Sequence, residues 1–202
     1  DIYKLQEIGG AKAKCDFIRE HEDDGYFKRF LYFALNPLLT YNISKKSLDK
    51  LMTEGSTEGQ KLIFFNDIFE CCEHLSRLRS MDDATLRQVK ILLNVKYSDK
   101  AERELYMQLL SKTVRLGITG KTINKIIPNL IPEWEVQQAY PVDKYPLKKG
   151  TEFWLTQKLN GARATLYEGQ LLARSGMPYK GLDHITSALS WLRVAGFVAD
   201  GE

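Results

Sequence analysis

The spacing of apolar residues changes once along the chain, and this change restricts the folds that the chain can adopt. Up to about residue 130, apolar side chains recur every three or four residues, as in Leu86, Val89 and Leu93. Such spacing places them on one face of an α-helix. From Thr151 onward the pattern is mixed, and some stretches alternate apolar and polar residues as β-strands do. We therefore predict a helical first part and an α+β second part.

The residues around the apolar stripes predict where the helices begin and end. Gly9 and Gly10 interrupt an opening helix, and Pro37 ends a later one. A short acceptor side chain at a helix start satisfies free backbone N–H groups. The candidates for this role are Asp82, Asp83, Ser98 and Asp99. A second apolar stripe consists of Leu62, Phe65, Phe69 and Cys72, and the stretch 54–59 is predicted to be a loop.

Prolines separate the two parts of the chain, because they argue against a long helix between 128 and 150. They are Pro128, Pro132, Pro141 and Pro146. We predict a multi-domain chain with an all-α domain at 1–130, a linker at 131–150, and an α+β domain with an antiparallel sheet at 151–202. In the second domain we expect a strand at 152–158, a hairpin that turns at Glu168 and Gly169, and a helix from Ile185 to Leu192. Gly196 should end that helix, and a further strand should start at 197–199.

Composition narrows the class of protein. The net charge of +3 permits nucleic-acid binding but does not by itself establish it. No apolar stretch approaches the roughly 20 residues that a membrane helix needs, and no secretory leader is recognisable. Three cysteines, two of them adjacent, favour a reducing cytoplasm over a disulfide framework. The three histidines stand apart from other metal-ligating residues, so no protein metal site is predicted in this chain.

A compact polar group stands out near the start of the second part. A lysine is a nucleophile only as the free amine, so Lys158 needs desolvation or a neighbouring cation such as Arg163. Gly161 allows the backbone to approach a ligand closely. Arg163 and Arg174 can each bind phosphate or ribose oxygens through two nitrogens. This group predicts a site for a phosphorylated nucleotide; the alternative is a solvated lysine beside a turn.

The order of three short motifs favours the nucleotide site. "KLNGAR" (158–163) is followed by "RSG" (174–176) and then by "DGE" (200–202). This series resembles the first motifs of the ATP-dependent DNA ligases, which read K-x-D-G-x-R, S-R-x-G and D-G-E. "LQEIGGAKAKCDFIREHEDD", "LGITGKTINKIIPNLIPE" and "YKGLDHI" also resemble stretches of the ligases of T-even bacteriophages, while residues 40–95 match only in character.

The resemblance implies roles for individual residues. Lys158 would form a lysyl-AMP bond with ATP, Arg163 and Glu202 would contact the ribose, and Arg174 would lie near phosphate. Thr156 occupies the adenine-reading position, and Asn160 and Gly161 complete the nucleotide-binding set. Asn160 replaces the usual aspartate and Ala173 the usual serine. Losing the carboxylate at 160 should ease deprotonation of the lysine and weaken ionic anchoring.

The resemblance also implies a cofactor, partners and a location. The cofactors are ATP and Mg²⁺, whose main carboxylate ligand belongs beyond residue 202. The substrate is nicked double-stranded DNA, a sliding clamp is a further candidate partner, and no membrane is involved. The location is the cytoplasm of a bacterial or phage-infected host. We expect 151–202 to be a truncated adenylation domain and residues 1–202 alone not to seal nicks.

A glycine-bearing loop supplies the candidate DNA contacts. "GITGKT" (117–122) ends like a P-loop, but Arg115 stands where that motif needs glycine. Cations beside a loop that enters a helix suit sequence-independent phosphate binding. The candidates are Arg115, Gly117, Thr119, Gly120, Lys121, Thr122 and Lys125, with Lys12 and Lys14 after Gly9 and Gly10 as a weaker set. The alternative is an ordinary solvated helix start.

Two other functions remain open at this point. One is another covalent nucleotidyltransferase, an RNA ligase or a capping enzyme, although a long helical domain before the lysine argues against it. The other is a non-catalytic DNA-binding module, which Asn160 would favour if it marks decay of the site.

Overall fold

The computed structural model describes residues 1–53, 64–78, 80–136, 140–153, 160–194 and 198–201. The chain divides into two compact units, Asp1–Glu133 and Trp134–Glu202. The described part of the first unit is helical, and the second unit combines a small antiparallel sheet with short helices. A helical part followed by a mixed part is the predicted order. Residues 134–136 and 140–150, predicted to be a linker, group with the second unit.

The helices of the first unit follow the predicted breaks. Gly9 and Gly10 separate the first two helices, and the third ends just before Pro37. The helices are α1 Ile2–Glu7, α2 Ala11–Glu20, α3 Gly25–Leu35, α4 Lys45–Thr53, α5 Ile68–Arg77, α6 Asp83–Val95, α7 Lys100–Leu110 and α8 Gly120–Asn124. The loop predicted at 54–59 lies outside the described residues.

Aspartate side chains start several of these helices. Asp82 accepts a hydrogen bond from the Thr85 N–H at 2.6 Å, and Asp99 accepts one from the Glu102 N–H at 2.8 Å. Each bond satisfies a backbone donor that has no partner inside its helix. The predicted cap at Asp82 is therefore confirmed, and of the pair at 98–99 the aspartate is the capping residue.

The core of the first unit is aromatic and aliphatic. Phe69 is fully buried on α5, where its ring stacks on that of Phe33 with centroids 5.5 Å apart. Val89 and Leu93 are buried as the apolar stripe predicts, and Leu86 packs partly buried against them. Phe65 is also buried, but it precedes α5 instead of lying within it, because Asp67 caps that helix. Leu62 lies outside the described residues.

The sheet of the second unit contains β1 Ala164–Tyr167, β2 Gln170–Ala173 and β3 Ala199–Gly201, in the order β2-β1-β3. The hairpin predicted at Glu168 and Gly169 is confirmed. Both turn residues have positive φ, 48° and 81°, which a tight two-residue hairpin of the I′ type requires. The third strand was predicted to begin with residues 197–199. In the structure it begins at Ala199, and Phe197 lies outside the described residues.

The predicted helix and the predicted first strand of the second unit have different outcomes. The single helix expected from Ile185 to Leu192 is two short helices, α9 Asp183–Ala188 and α10 Ser190–Val194. Leu189 leaves helical geometry with φ −99° and ψ 10°, so the first helix ends there. The strand expected at 152–158 falls largely outside the described residues, and its described part, 152–153, is not in a strand. Gly196 also lies outside them.

Within the described part of the chain, none of the helices is long and apolar enough to cross a membrane.

Candidate nucleotide site and candidate DNA-binding surface

An arginine–aspartate pair joins the first and third strands of the sheet. Arg163 directly precedes β1, and Asp200 lies on β3 opposite Thr165. The Arg163 Nε donates to Asp200 Oδ1 at 2.9 Å, and a terminal guanidinium nitrogen donates to the other carboxylate oxygen. The Thr165 hydroxyl also donates to Asp200 Oδ1, at 3.1 Å. The bidentate pair fixes the plane of the guanidinium and holds the pKa of the Asp200 carboxyl below its usual value.

The backbone of Arg163 is held as well as its side chain. The Tyr179 hydroxyl donates to the Arg163 carbonyl at 3.1 Å. Tyr179 is positioned in turn by its own N–H, which donates to the carbonyl of Leu171 on β2 at 2.8 Å. Both ends of Arg163 are therefore attached to the sheet, one through β3 and the other through the segment after β2.

Sequence reasoning missed three members of this network: Thr165, Tyr179 and Asp200. Asp200 was visible as the first letter of "DGE", but a role was assigned only to Glu202. The pairing of Thr165 with Asp200 follows from the register of β1 and β3, which a sequence pattern does not specify. No spacing rule relates Tyr179 to Arg163.

The strand register gathers several predicted residues at one end of the sheet. Ala164 pairs with Ala173 on one side and with Gly201 on the other. Arg163 and Arg174, which flank these positions, therefore lie at the same end of the hairpin. Asn160 and Gly161 are exposed just before Arg163, and Arg174 is exposed in the turn after β2. Lys158, Thr156 and Glu202 lie outside the described residues.

A cavity of about 430 Å³ lies between one face of the sheet and the segment that contains α9. Its walls are small and aliphatic, and Tyr179 and Asp200 contribute its polar groups. The lining from the strands includes Ala164, Leu166, Leu171 and Ala199, and the lining from the opposite side includes Leu182, Ile185 and Leu189. Mostly apolar walls with a few polar groups are typical of pockets that bind small molecules.

The candidate DNA contacts around α8 are mostly exposed. Arg115, Gly117, Thr119, Lys121 and Lys125 are exposed at the surface. Thr119 caps α8, because its Oγ1 accepts from the Thr122 N–H at 3.3 Å, and the two hydroxyls lie 3.0 Å apart. Both threonine hydroxyls therefore take part in starting the helix.

The two glycines of this loop are explained by different constraints. Gly117 has φ +64°, a backbone conformation that favours glycine. Gly120 has no such requirement, but a Cβ added there would lie 2.9 Å from Cγ2 of Ile131. Asn124 holds the same region together, since its side-chain amide donates to the Ile131 carbonyl and accepts from the Ile131 N–H, both at 2.8 Å. Gly120 therefore serves close packing, a role that its motif did not predict.

Lys14 does not occupy the position that the sequence predicted for it. It was predicted to contact a DNA phosphate, but it is 7% exposed. Its Nζ donates to the Leu5 carbonyl at 2.9 Å and to the carbonyl of Leu116. These contacts turn the ammonium into the protein interior, away from any external phosphate, so the prediction was wrong. Lys12, by contrast, is exposed on the first turn of α2.

Among the described residues, no group of three or more His, Cys, Asp or Glu side chains is placed to hold a metal ion. In comparisons with known proteins, no family pattern matches the chain and no curated protein matches it.

Proposed function

We propose that this chain carries the DNA-binding and nucleophile-bearing portions of an ATP-dependent DNA ligase of the phage type. The observation that carries the proposal is the contact between two motifs. "KLNGAR" and "DGE" were related only by their order in the sequence, and their Arg163 and Asp200, 37 residues apart, form a bidentate pair. A shared nucleotide site would require these motifs to meet.

The proposed chemistry begins at Lys158. The neutral amine, having lost its proton to solvent, attacks the α-phosphorus of ATP; an N–P bond forms, the α–β phosphoanhydride bond breaks, and pyrophosphate leaves. An oxygen of the 5′-phosphate at a nick then attacks the AMP phosphorus; a P–O–P anhydride bond forms, the N–P bond breaks, and the lysine amine leaves with a proton from solvent. The adjacent 3′-hydroxyl then attacks that phosphate, closes the phosphodiester bond and releases AMP.

The residues at the end of the sheet have supporting roles in this proposal. The bidentate pair with Asp200 uses two nitrogens of Arg163 and orients the plane of its guanidinium before the nucleotide arrives. Pre-organised donors of this kind lower the cost of binding charged oxygens. Arg174, exposed at the same end of the sheet, is a candidate contact for phosphate.

The first unit would hold the duplex without reading its sequence. Its candidate contacts are exposed cations and backbone groups, which recognise phosphates and not base edges. Binding to a nicked duplex should therefore weaken with salt, with a slope of roughly −0.9 in log K per log salt for each phosphate neutralised. Equal affinity at low and high salt would contradict this part of the proposal.

The direct test is covalent labelling of the full-length protein with ATP that is radioactive at the α-phosphate, followed by peptide mass spectrometry. We expect AMP on Lys158. The Lys158→Ala variant should lose all label, whereas Lys149→Ala, which removes an exposed lysine from the same unit, should keep it. AMP on another lysine would refute the assignment of the nucleophile.

Two further results would favour the other functions. Label that appears only in the Asn160→Asp variant would indicate a DNA-binding relative of the ligases that has lost the reaction. Sealing of nicked RNA in preference to nicked DNA would indicate an RNA ligase.

A further inference from the structure

A buried lysine joins two loops that are far apart in the sequence. The Nζ of Lys14 donates to the carbonyl of Leu5 near the end of α1 and to the carbonyl of Leu116 in the loop before α8. Leu116 is 102 residues from Lys14. The lysine therefore ties the start of α2, which follows Gly9 and Gly10, to the loop that carries Gly117.

The second loop lies directly against this ammonium group. A Cβ added at Gly117 would be 3.1 Å from the Lys14 Nζ and 3.5 Å from its Cε. Burying an ammonium is costly unless it is hydrogen-bonded, so the two carbonyls are necessary for its position. The position of the backbone at 116–117 and the position of the Lys14 side chain therefore depend on each other.

Exposed cations stand next to both attachment points. Lys12 lies two positions before Lys14 on α2, and at 100° per residue its side chain leaves the helix on nearly the opposite side. Arg115 directly precedes Leu116. Both Lys12 and Arg115 are exposed, while Lys14 and Leu116 are buried. The internal contact thus fixes the backbone next to Arg115 against the start of α2, whereas Lys12 extends from the other side of that helix.

We propose that Lys14 is a positioning residue for DNA binding. It holds the loop of Leu116 and Gly117 against α1 and α2, so that Arg115 and the backbone of this loop already have a fixed place when a duplex phosphate binds. A loop that is ordered beforehand binds its ligand at a lower entropic cost than one that must be ordered on binding. This inference rests on the proposed function, in which the first unit binds DNA.

The test compares Lys14→Met with Lys90→Met in the full chain. Lys90 is an equally buried lysine, also 7% exposed, on α6, which contributes none of the candidate DNA contacts. Affinity for a fluorescent nicked duplex is measured by anisotropy at several salt concentrations, at a temperature where both variants are folded. With a slope of about −0.9 per phosphate, and with equal affinities taken at 1 M salt, removing one cation–phosphate interaction lowers affinity about eightfold at 0.1 M salt. We expect at least that decrease, with a shallower slope, for Lys14→Met alone.

A double-mutant cycle separates positioning from a general loss of structure. If Lys14 positions the loop that carries Arg115, then Arg115→Ala weakens binding in the unaltered chain but has little further effect in Lys14→Met. Equal effects of Arg115→Ala in both backgrounds would overturn the inference. Should Lys14→Met fail to fold, Gly117→Ala perturbs the same contact from the other side and is expected to reproduce the loss of affinity.

The outcomes distinguish this inference from the function on which it rests. An unaltered chain that does not bind nicked DNA refutes the DNA-binding function. An unaltered chain that binds, with Lys14→Met matching Lys90→Met in affinity and salt slope, refutes only the role of Lys14.

Discussion

The two units bury their side chains in different ways. The first packs aromatic and aliphatic side chains from all of its helices into one core, in which Phe27, Phe30 and Phe69 are almost completely buried. Among the described residues of the second unit, the large apolar side chains that are buried are Leu166, Leu171 and Leu172. The second unit also contains a cavity, and a polar network around Asp200 connects its strands β1 and β3. Apolar packing should therefore stabilise the first unit more than the second, and polar contacts should make up a larger share of the stability of the second unit than of the first.

The largest expected effect tests the packing of the first unit. Phe69→Ala removes a ring that stacks on Phe33 and meets the edge of Tyr26, and should destabilise the first unit by about 3–5 kcal/mol. Leu171→Ala in the second unit, next to the cavity, should cost about 2 kcal/mol, at the lower end for such changes. Hydrogen exchange with mass spectrometry in increasing urea reports on each unit separately. A cost for Leu171→Ala that equals or exceeds that for Phe69→Ala would remove the distinction between the units.

An intermediate effect tests how tightly the first unit is packed near α8. Replacing a helical glycine by alanine normally stabilises a helix by about 0.5–1 kcal/mol. At Gly120 we expect the opposite sign, a loss of about 1–3 kcal/mol, because the new methyl group would press on the buried Ile131. Gly25→Ala is the matched control, since Gly25 also begins a helix but has open space around its Cβ position. Thermal unfolding of both variants gives the comparison; a stabilising Gly120→Ala would show that the region relaxes easily.

The smallest effect tests the polar contacts of the second unit. Asp200 is 43% exposed, and its pair with Arg163 should contribute at most about 1 kcal/mol to stability. Because the pKa of this carboxyl is lowered in the folded protein, the contribution is present above about pH 4 and is lost as the pH falls through the folded-state pKa. Asp200→Asn should remove this pH dependence, whereas Asp143→Asn, at an exposed position of the same unit, should keep it. Urea unfolding of the second unit between about pH 2 and 7 measures the difference. A wild-type curve that coincides with that of Asp200→Asn throughout would show that the pair does not stabilise the unit.

The elements that the sequence predicted well depend on nearby residues. The aspartates that cap α6 and α7 bond to N–H groups three positions along the chain. The hairpin turn at Glu168 and Gly169 depends on two residues that accept positive φ. Even here local preference had limits, since Leu189 interrupts a helix that the apolar spacing predicted as continuous.

The candidate sites depend on contacts between residues that are far apart in the sequence. Only the tertiary structure decided which of these contacts form. The residue types were sufficient to select Arg163, Lys12 and Arg115 as candidates for binding phosphate. They did not indicate that Arg163 would pair with Asp200 or that Lys14 would turn inward to Leu116. The sequence does not distinguish an exposed lysine from a buried one, because the residue is the same and its neighbours are similar. Which of them faces solvent is determined by whether buried carbonyls from another part of the chain are present to accept its hydrogen bonds.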